Sequence, residues 1–456
     1  MAAKTIDSRR MGEMQEQKLL LTLAAPMMLS MLVQALYNVV DSIYVGRVSE
    51  DCLSALSLAF PAQNIMIGLA TGTGVGVSTL IARALGRKDS ARANQVTGTA
   101  IFLSFCCWIA IALFGIFGCD AFIRSQTGVE TIRHYADSYL EIVTIASIFL
   151  YLEVCVERLL QSTGMTHLSM WTQIAGAVTN IILDPFFIYG WLGLPALGTA
   201  GAAIATVIGQ AVGAVLGFTL HFKYNREIRI HLRDIRPRGE IIASIYRIGF
   251  PSILMMGIGS ITNYLMNIIL GAFTSTAVAV YGVYFKIQSF FFMPVFGINN
   301  GLIPIVGYNY GAGKKDRIYR TIRYGVLYAS FFMLLGFLVF QLFPRQLLQI
   351  FSPSEALIAI GVPALRRISP SFLFAGFCIV AGSACQALDR SLYSLFVSIL
   401  RQVVGLIPAA WLLSKTGDVN MVWWCFPIAE IISVVASTFF LRSALKGMEK
   451  TLGSLQ

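Results

Sequence analysis

IFLSFCCWIAIALFGIF, residues 101–117, is a run of 17 residues without a charged side chain. A bilayer span needs about 20 mainly apolar residues, and the polar-poor flanks of this run supply the remainder. A second such run, residues 331–343, lies in the other half of the chain. Working outward from these runs, we predict an all-α polytopic membrane protein with twelve transmembrane helices. The predicted ranges are 18–45, 54–80, 95–118, 137–160, 168–190, 197–221, 243–271, 277–306, 322–343, 360–386, 392–413 and 420–442.

The composition agrees with a membrane protein. Of the 456 residues, 56% are hydrophobic and only 12% are charged, whereas soluble domains carry about 25% charged residues. The net charge of +11 does not indicate nucleic acid here, because cytoplasmic loops of membrane proteins are rich in Lys and Arg. If both termini are cytoplasmic, 24 of the 34 Lys and Arg residues lie on the cytoplasmic side and 7 on the other side. We therefore predict cytoplasmic termini, and the polar start of the chain shows no cleavable signal pattern.

A repeat at a spacing of 225 residues divides the predicted helices into two sets of six. Matching pairs are Pro26 and Pro251, Asn38 and Asn263, Gln63 and Gln288, and Gln161 and Gln386. Because six is even, both sets enter the membrane in the same orientation, as parallel repeats that we call the N-lobe and the C-lobe. Transporters built from repeats bind substrate near the repeat interface, so we expect a central cavity. The predicted domains are a cytoplasmic N-terminus (1–17), the N-lobe with helices 1–6 (18–221), a basic cytoplasmic linker (222–242), the C-lobe with helices 7–12 (243–443) and a cytoplasmic tail (444–456).

Acidic and amide side chains within the N-lobe helices indicate an ion site. Intramembrane ionisable residues are rare and usually functional, and their helical spacing places these side chains on shared faces. Two carboxylates with amide and hydroxyl neighbours suit a proton or a small cation such as Na⁺. Asp41 and Asp184 correspond to Met266 and Ala409 in the second repeat, so the site belongs to the N-lobe. The candidate residues are Gln34, Asn38 and Asp41 on helix 1, Asn180 and Asp184 on helix 5, and Thr206 on helix 6.

Two of these residues have structural interpretations that the sequence leaves open. Asn38 recurs as Asn263, where no carboxylate is nearby, so its amide is equally suited to bridging two helices. The Thr206 hydroxyl can instead bond to the backbone of its own helix, which is the favoured interpretation if Asp184 is left out of account.

Three charged residues lie together on predicted helix 4. Glu153 and Glu157 are one turn apart, and Arg158 follows directly. One interpretation is a solvated helix end with an internal ion pair, and the other is a substrate entrance that attracts cations.

A second charge cluster is predicted in the C-lobe, where Arg401 on helix 11 and Glu430 on helix 12 fall at the same depth. Unpaired charges at that depth are costly, so we predict that they form a buried ion pair. Lys286 and the nearby Gln288 on helix 8 reach a similar depth, beside the pair or lining the central cavity. A role in helix packing and a role in coupling remain equally open.

The sequence does not indicate an enzyme. No nucleophile–base arrangement and no ATP-binding motif is visible, and the eight cysteines are scattered without metal-ligand spacing. An ion channel is also less favoured, since no filter loop is found. These features favour a transporter that is driven by an ion gradient.

Four stretches resemble the multidrug and toxic compound extrusion (MATE) family along essentially the whole chain. They are LAAPMMLSMLVQALYNVVDSIYVGR (23–47), GTGVGVSTLIARALGRKD (72–89), LLQSTGMTHLSMWTQIAGAVTNIILDPFFIYG (159–190) and GTAGAAIAT (198–206). The resemblance implies a monomeric transporter without a cofactor, in a prokaryotic plasma (inner) membrane. Members export organic, often cationic and amphipathic, compounds in exchange for H⁺ or Na⁺ by alternating access.

The resemblance also implies roles for individual residues. Prokaryotic branches with an N-lobe site use acids that match Asp41 and Asp184, with Asn180 and Thr206 at supporting positions. The acids that other branches carry on helices 7 and 8 are absent. Ion entry would neutralise the N-lobe and let helix 1 repack around Pro26, whose missing N–H weakens the helix. The alternative is a lipid-linked-precursor flippase of the same superfamily.

Overall fold

The computed structural model of the protein describes residues 8–193, 195–351 and 354–453. Within these ranges the chain is helical and forms no strand, which confirms the predicted all-α polytopic class. Twelve helices have membrane-spanning length: helix 1 Glu16–Gly46, helix 2 Glu50–Gly86, helix 3 Ser90–Arg124, helix 4 Glu130–Ile145 continued by Ile148–Ser162, helix 5 Thr166–Tyr189, helix 6 Thr199–Tyr224, helix 7 Gly239–Gly271, helix 8 Ser275–Gly311, helix 9 Lys315–Leu342, helix 10 Glu355–Ala387, helix 11 Ser391–Ser414 and helix 12 Val419–Gly453.

Ten of these helices are long and apolar enough to span a membrane by themselves. Helix 4 reaches this length only as two segments that meet at an angle of 49° between Ile145 and Ile148. Helix 5 is not among the ten, because it carries polar residues that include Asn180 and Asp184. The polar residues of helix 5 thus include two members of the predicted ion site, Asn180 and Asp184.

Three C-lobe helices depart from regular α-helical geometry. Helix 12 is interrupted by a turn between Val422 and Cys425. Helix 10 passes through a 3-10 turn at Ser369–Ser371, where Pro370 interrupts the hydrogen-bond ladder. Helix 11 contains a π-helical segment, Leu400–Leu406, just before Pro408. A proline cannot donate to the carbonyl one turn before it, and π-helical turns in α-helices are frequent at functional sites.

The chain forms two compact units, one made of residues 8–13 and 29–253 and the other of 14–28 and 254–453. The breaks within helices 1 and 7 fall two residues after Pro26 and Pro251, the prolines that the repeat aligns. The early part of helix 1 thus packs with the C-lobe helices, and that of helix 7 with the N-lobe helices. The predicted lobes, 18–221 and 243–443, instead keep each helix whole.

The basic segment after helix 6 packs on the N-lobe. The backbone N–H of Arg229 donates to Oδ1 of Asn94 on helix 3 at 2.9 Å. Gly98 on the same helix lies against the backbone of Asp234, where an added Cβ would stand 2.2 Å from the Asp234 carbonyl oxygen. Helix 3 therefore fixes the position of this segment.

Candidate cation-coupling site

Glycine contacts bring helices 5 and 6 close together around the site. A Cβ added at Gly209 on helix 6 would lie 2.7 Å from the carbonyl oxygen of Gly176, and one at Gly201 would lie 2.3 Å from that of Phe187. Both distances are too short for any side chain, so only glycine permits this approach. Thr206 lies between these two contacts and is thereby held against helix 5.

Asn180 connects the acid of helix 5 to helix 6. Its amide lies 3.4 Å from Oδ1 of Asp184 and 3.3 Å from Oγ1 of Thr206. When the amide oxygen faces helix 6, it accepts from the Thr206 backbone N–H at 3.0 Å, and the amide nitrogen donates to Oδ2 of Asp184 at 3.3 Å. This orientation gives both amide atoms a suitable partner. Asn180 and Asp184 are one turn apart, so the NxxxDP spacing produces the contact directly.

The two N-lobe carboxylates lie close enough to interact electrostatically. Asp184 is fully buried, and Oδ1 of Asp41 is buried without a hydrogen-bond partner among the described residues. A buried ionised carboxylate without compensation is costly, so a bound proton or cation would stabilise the pair. Among the residues that the structure describes, no group of three or more His, Cys, Asp or Glu side chains could hold a metal ion. Two carboxylates with neutral oxygen donors suit a proton or a hard cation.

Two tyrosines that the sequence does not assign to the site lie beside its carboxylates. Tyr37, one turn before Asp41, contacts the Thr206 hydroxyl and interacts electrostatically with both carboxylates. Tyr139 also interacts with both carboxylates, and its hydroxyl accepts a hydrogen bond from Nε2 of Gln63 at 2.7 Å. The helical spacing from Asp41 could have identified Tyr37. Tyr139 lies on helix 4, and no sequence pattern connects it to the site.

The remaining helix 1 candidates lie on an exposed face. Gln34 and Asn38 are both exposed, and within the described ranges no hydrogen bond links Gln34 to the acids. In the second repeat, Oδ1 of Asn263 accepts from the Tyr281 hydroxyl of helix 8 at 3.0 Å. The amide at this repeat position thus bridges two helices in the C-lobe. Pro26 lies inside the continuous helix 1.

The acidic pair of helix 4 is located in the interior of the N-lobe. Only 6% of Glu157 is exposed, and its carboxylate accepts from Nε2 of Gln173 at 2.9 Å and from the Thr172 hydroxyl at 3.4 Å. Glu153 lies against helix 6, where a Cβ added at Gly213 would be 2.0 Å from its Oε1. The solvated helix end proposed from sequence is therefore wrong, because helices 5 and 6 cover this face.

Of the predicted C-lobe charges, Arg401 and Glu430 lie close together, whereas Lys286 is not part of the ion pair. Nη1 of Arg401, within the π-helical segment, lies 3.6 Å from Oε2 of Glu430, whose side chain is only 6% exposed. Oε1 of Glu430 and Oε1 of Gln288 are buried without a partner in the described part of the chain. Lys286 is exposed and makes no ion pair with these residues.

The MatE family model matches residues 26–186 and 251–411, two segments that begin 225 residues apart. The chain belongs to the MatE family. This match confirms the predicted resemblance and the repeat. Within this MatE chain, Asp41 and Asp184 lie in the first matched segment. Arg401 lies in the second.

Relatives and solved structures agree with this assignment. The multidrug export protein MepA of Staphylococcus saprophyticus is 25% identical over 426 residues, which cover 92% of this MatE chain and 93% of that protein. MepA of Staphylococcus aureus is 27% identical over 439 residues, covering 94% of each chain. The outward-facing structure of a multidrug resistance MATE transporter of the MOP superfamily has a TM-score of 0.92 at 25% identity, covering 98% of this chain and 100% of that chain. These relatives do not favour the flippase alternative.

Proposed function

We propose that this protein is a secondary antiporter that exports organic amphipathic compounds, cations among them, in exchange for H⁺ or Na⁺ by alternating access. The observation that carries the proposal is the interacting pair of a half-buried Asp41 and a fully buried Asp184, of which Asp184 is linked to helix 6 through Asn180 and Thr206. The multidrug export names of the MepA relatives support the substrate class.

Ion binding changes the charge of the N-lobe interior, and this change drives the cycle. Without an ion, the two carboxylates repel each other, and Oδ1 of Asp41 has no hydrogen-bond partner among the described residues. A proton or Na⁺ that enters from outside removes this penalty and favours the arrangement in which helix 1 closes on helix 5. Each charge that moves inward at a potential of about 100 mV supplies roughly 2.3 kcal/mol.

Helix 1 is suited to transmit this change. Asp41 lies fifteen residues after Pro26, and the two compact units divide within helix 1 just beyond this proline. The nitrogen of Pro26 carries no hydrogen and so makes no hydrogen bond to the carbonyl one turn before it. Helix 1 can therefore bend at Pro26 without breaking such a bond. Repacking of the segment that bears Asp41 would therefore alter the N-lobe surface and release substrate outward.

Transport into vesicles under an imposed ion gradient tests the proposal. Purified protein is reconstituted, and uptake of a cationic dye is measured with a pH gradient, with a Na⁺ gradient and with neither. We expect uphill uptake with one of the gradients, and its loss in Asp41→Asn and in Asp184→Asn. Asp51→Asn is the matched control, because Asp51 is exposed. Full uphill uptake by both site variants would reject the site, and absence of gradient-driven uptake by the wild type would reject antiport.

A further inference from the structure

The segment between helices 6 and 7, residues 225–238, and the last turn of helix 6 carry a group of exposed cations. None of these cations forms an ion pair within the described part of the chain. We call this group the basic surface, and its members are Lys223, Arg226, Arg229, Arg233 and Arg236.

The acids of the same stretch of chain do not neutralise the basic surface. Oε1 of Glu227 accepts a hydrogen bond from a backbone N–H at 2.5 Å. Asp234 pairs with Arg238 at 2.9 Å, and Glu240 pairs with Arg92 of helix 3 at 2.9 Å. Each acid is therefore engaged in a bond that involves none of the five exposed cations.

The backbone beneath the basic surface is fixed to the N-lobe. Oδ1 of Asn225 accepts from the backbone N–H groups of Glu227 at 3.3 Å and of Ile228 at 3.4 Å. The Ile228 side chain is buried, and the backbone N–H of Arg229 donates to Oδ1 of Asn94 at 2.9 Å. A preorganised surface loses less conformational freedom on binding than a flexible linker does. The five cations are therefore presented from a set backbone.

Two features place this segment at the boundary of the membrane. Phe222 and Tyr224, in the last turn of helix 6, are both exposed, and aromatic side chains are enriched at the level of the lipid headgroups. The backbone of Asp234 packs against Gly98 of helix 3, which lies inside the predicted span 95–118. The basic surface therefore lies beside the headgroups of the bilayer.

We infer that the basic surface binds the headgroups of anionic phospholipids. Positive segments next to a transmembrane helix are attracted to anionic lipids over about one Debye length, which is about 10 Å at 0.1 M salt. Arginine suits this role, because its guanidinium donates two parallel hydrogen bonds to phosphate oxygens. Bound lipid would also hold the start of helix 7 at the membrane surface, since that helix begins at Gly239.

Native mass spectrometry of the full-length protein in neutral detergent tests the inference. Phosphatidylglycerol or phosphatidylcholine with the same acyl chains is added, and Kd is measured for each lipid. Because each cation adds to the attraction, we expect the wild type to bind phosphatidylglycerol about tenfold more tightly or better. The test variant replaces the four arginines of the basic surface and should bind both lipids equally: Arg226→Gln/Arg229→Gln/Arg233→Gln/Arg236→Gln.

A matched control separates the basic surface from the overall charge of the protein. It removes four positive charges from exposed C-lobe residues and should keep the preference of the wild type: Lys315→Gln/Arg323→Gln/Lys446→Gln/Lys450→Gln. Thermal unfolding shows whether each variant is folded. If the arginine variant is not, raising the salt from 0.1 M to 1 M tests the wild type itself. This change shortens the Debye length from about 10 Å to about 3 Å and should abolish the preference.

Three results would overturn the inference. Equal loss of the preference in the test and control variants would show a dependence on overall charge alone. A preference that survives in the arginine variant, or in the wild type at 1 M salt, would exclude the basic surface as the binding site. Binding of glycerophosphoglycerol, the headgroup without its acyl chains, as tightly as the lipid would indicate a site for a soluble anion instead.

Discussion

Breaking the C-lobe ion pair on one side should destabilise the protein more than removing both charges. At 3.6 Å and an effective dielectric constant of about 20, the attraction between the charges is about 4–5 kcal/mol. The Arg401 side chain is 36% exposed, so solvent screens part of this attraction. Loss of one partner from a fully buried pair costs about 3–5 kcal/mol. We therefore expect Glu430→Gln to lower the free energy of unfolding by about 2 kcal/mol.

The double variant Arg401→Met/Glu430→Gln tests the reason for this loss. With both charges removed, no guanidinium is left without its partner, so the double variant should be within about 1 kcal/mol of the wild type. Unfolding in detergent, followed by intrinsic fluorescence against denaturant, gives all four corners of the double-mutant cycle. A double variant as unstable as Glu430→Gln, or effects that simply add, would contradict the ion-pair interpretation.

Three further predictions concern the N-lobe. Asn180→Ala removes a hydrogen bond to a charged group, which is worth about 1.5–3 kcal/mol. The ion concentration for half-maximal uptake should therefore rise about 10- to 100-fold. An unchanged concentration would argue against a role of Asn180 in positioning the ion ligands. Gly209→Ala places a Cβ 2.7 Å from a carbonyl oxygen of helix 5, so it should destabilise the folded protein by about 1–3 kcal/mol. Gly257→Ala is the control, because a Cβ there meets no atom within 4 Å, and it should leave the stability unchanged. Thermal unfolding of the two variants measures the difference. Glu157→Gln should slow export of cations but not of neutral compounds, and equal slowing would show a structural role.

Much of the fold follows from patterns with a simple physical origin. Long apolar runs must span lipid, and the spacing of 225 residues reappears in the two segments matched by the MatE family model. The contact of Asn180 with Asp184 also follows from sequence, because residues four apart share a helix face. Counting residues along two antiparallel helices predicts the same depth for Arg401 and Glu430. In the structure their charged groups lie 3.6 Å apart.

Other features depend on packing between helices, which a single sequence does not encode locally. Tyr139 reaches the site from the first segment of helix 4 through the packing of that segment against its neighbours. Glu157 looked solvated because it lies near a helix end, but helix 5 covers it. Helices 1 and 7 are each divided between the two units, but their backbones stay helical through Pro26 and Pro251. These two prolines are therefore the only sign of the division in the sequence.

The exchange of substrate for an ion is the central claim, and substrate-driven ion movement tests it most directly. Vesicles without an imposed ion gradient receive a substrate gradient, and internal pH and Na⁺ are recorded while the substrate moves. The account predicts that the wild type moves H⁺ or Na⁺ in the opposite direction to the substrate, and that Asp184→Asn moves neither ion although it still binds the dye. Ion movement that persists in Asp184→Asn, or substrate movement by the wild type without any ion movement, would contradict it.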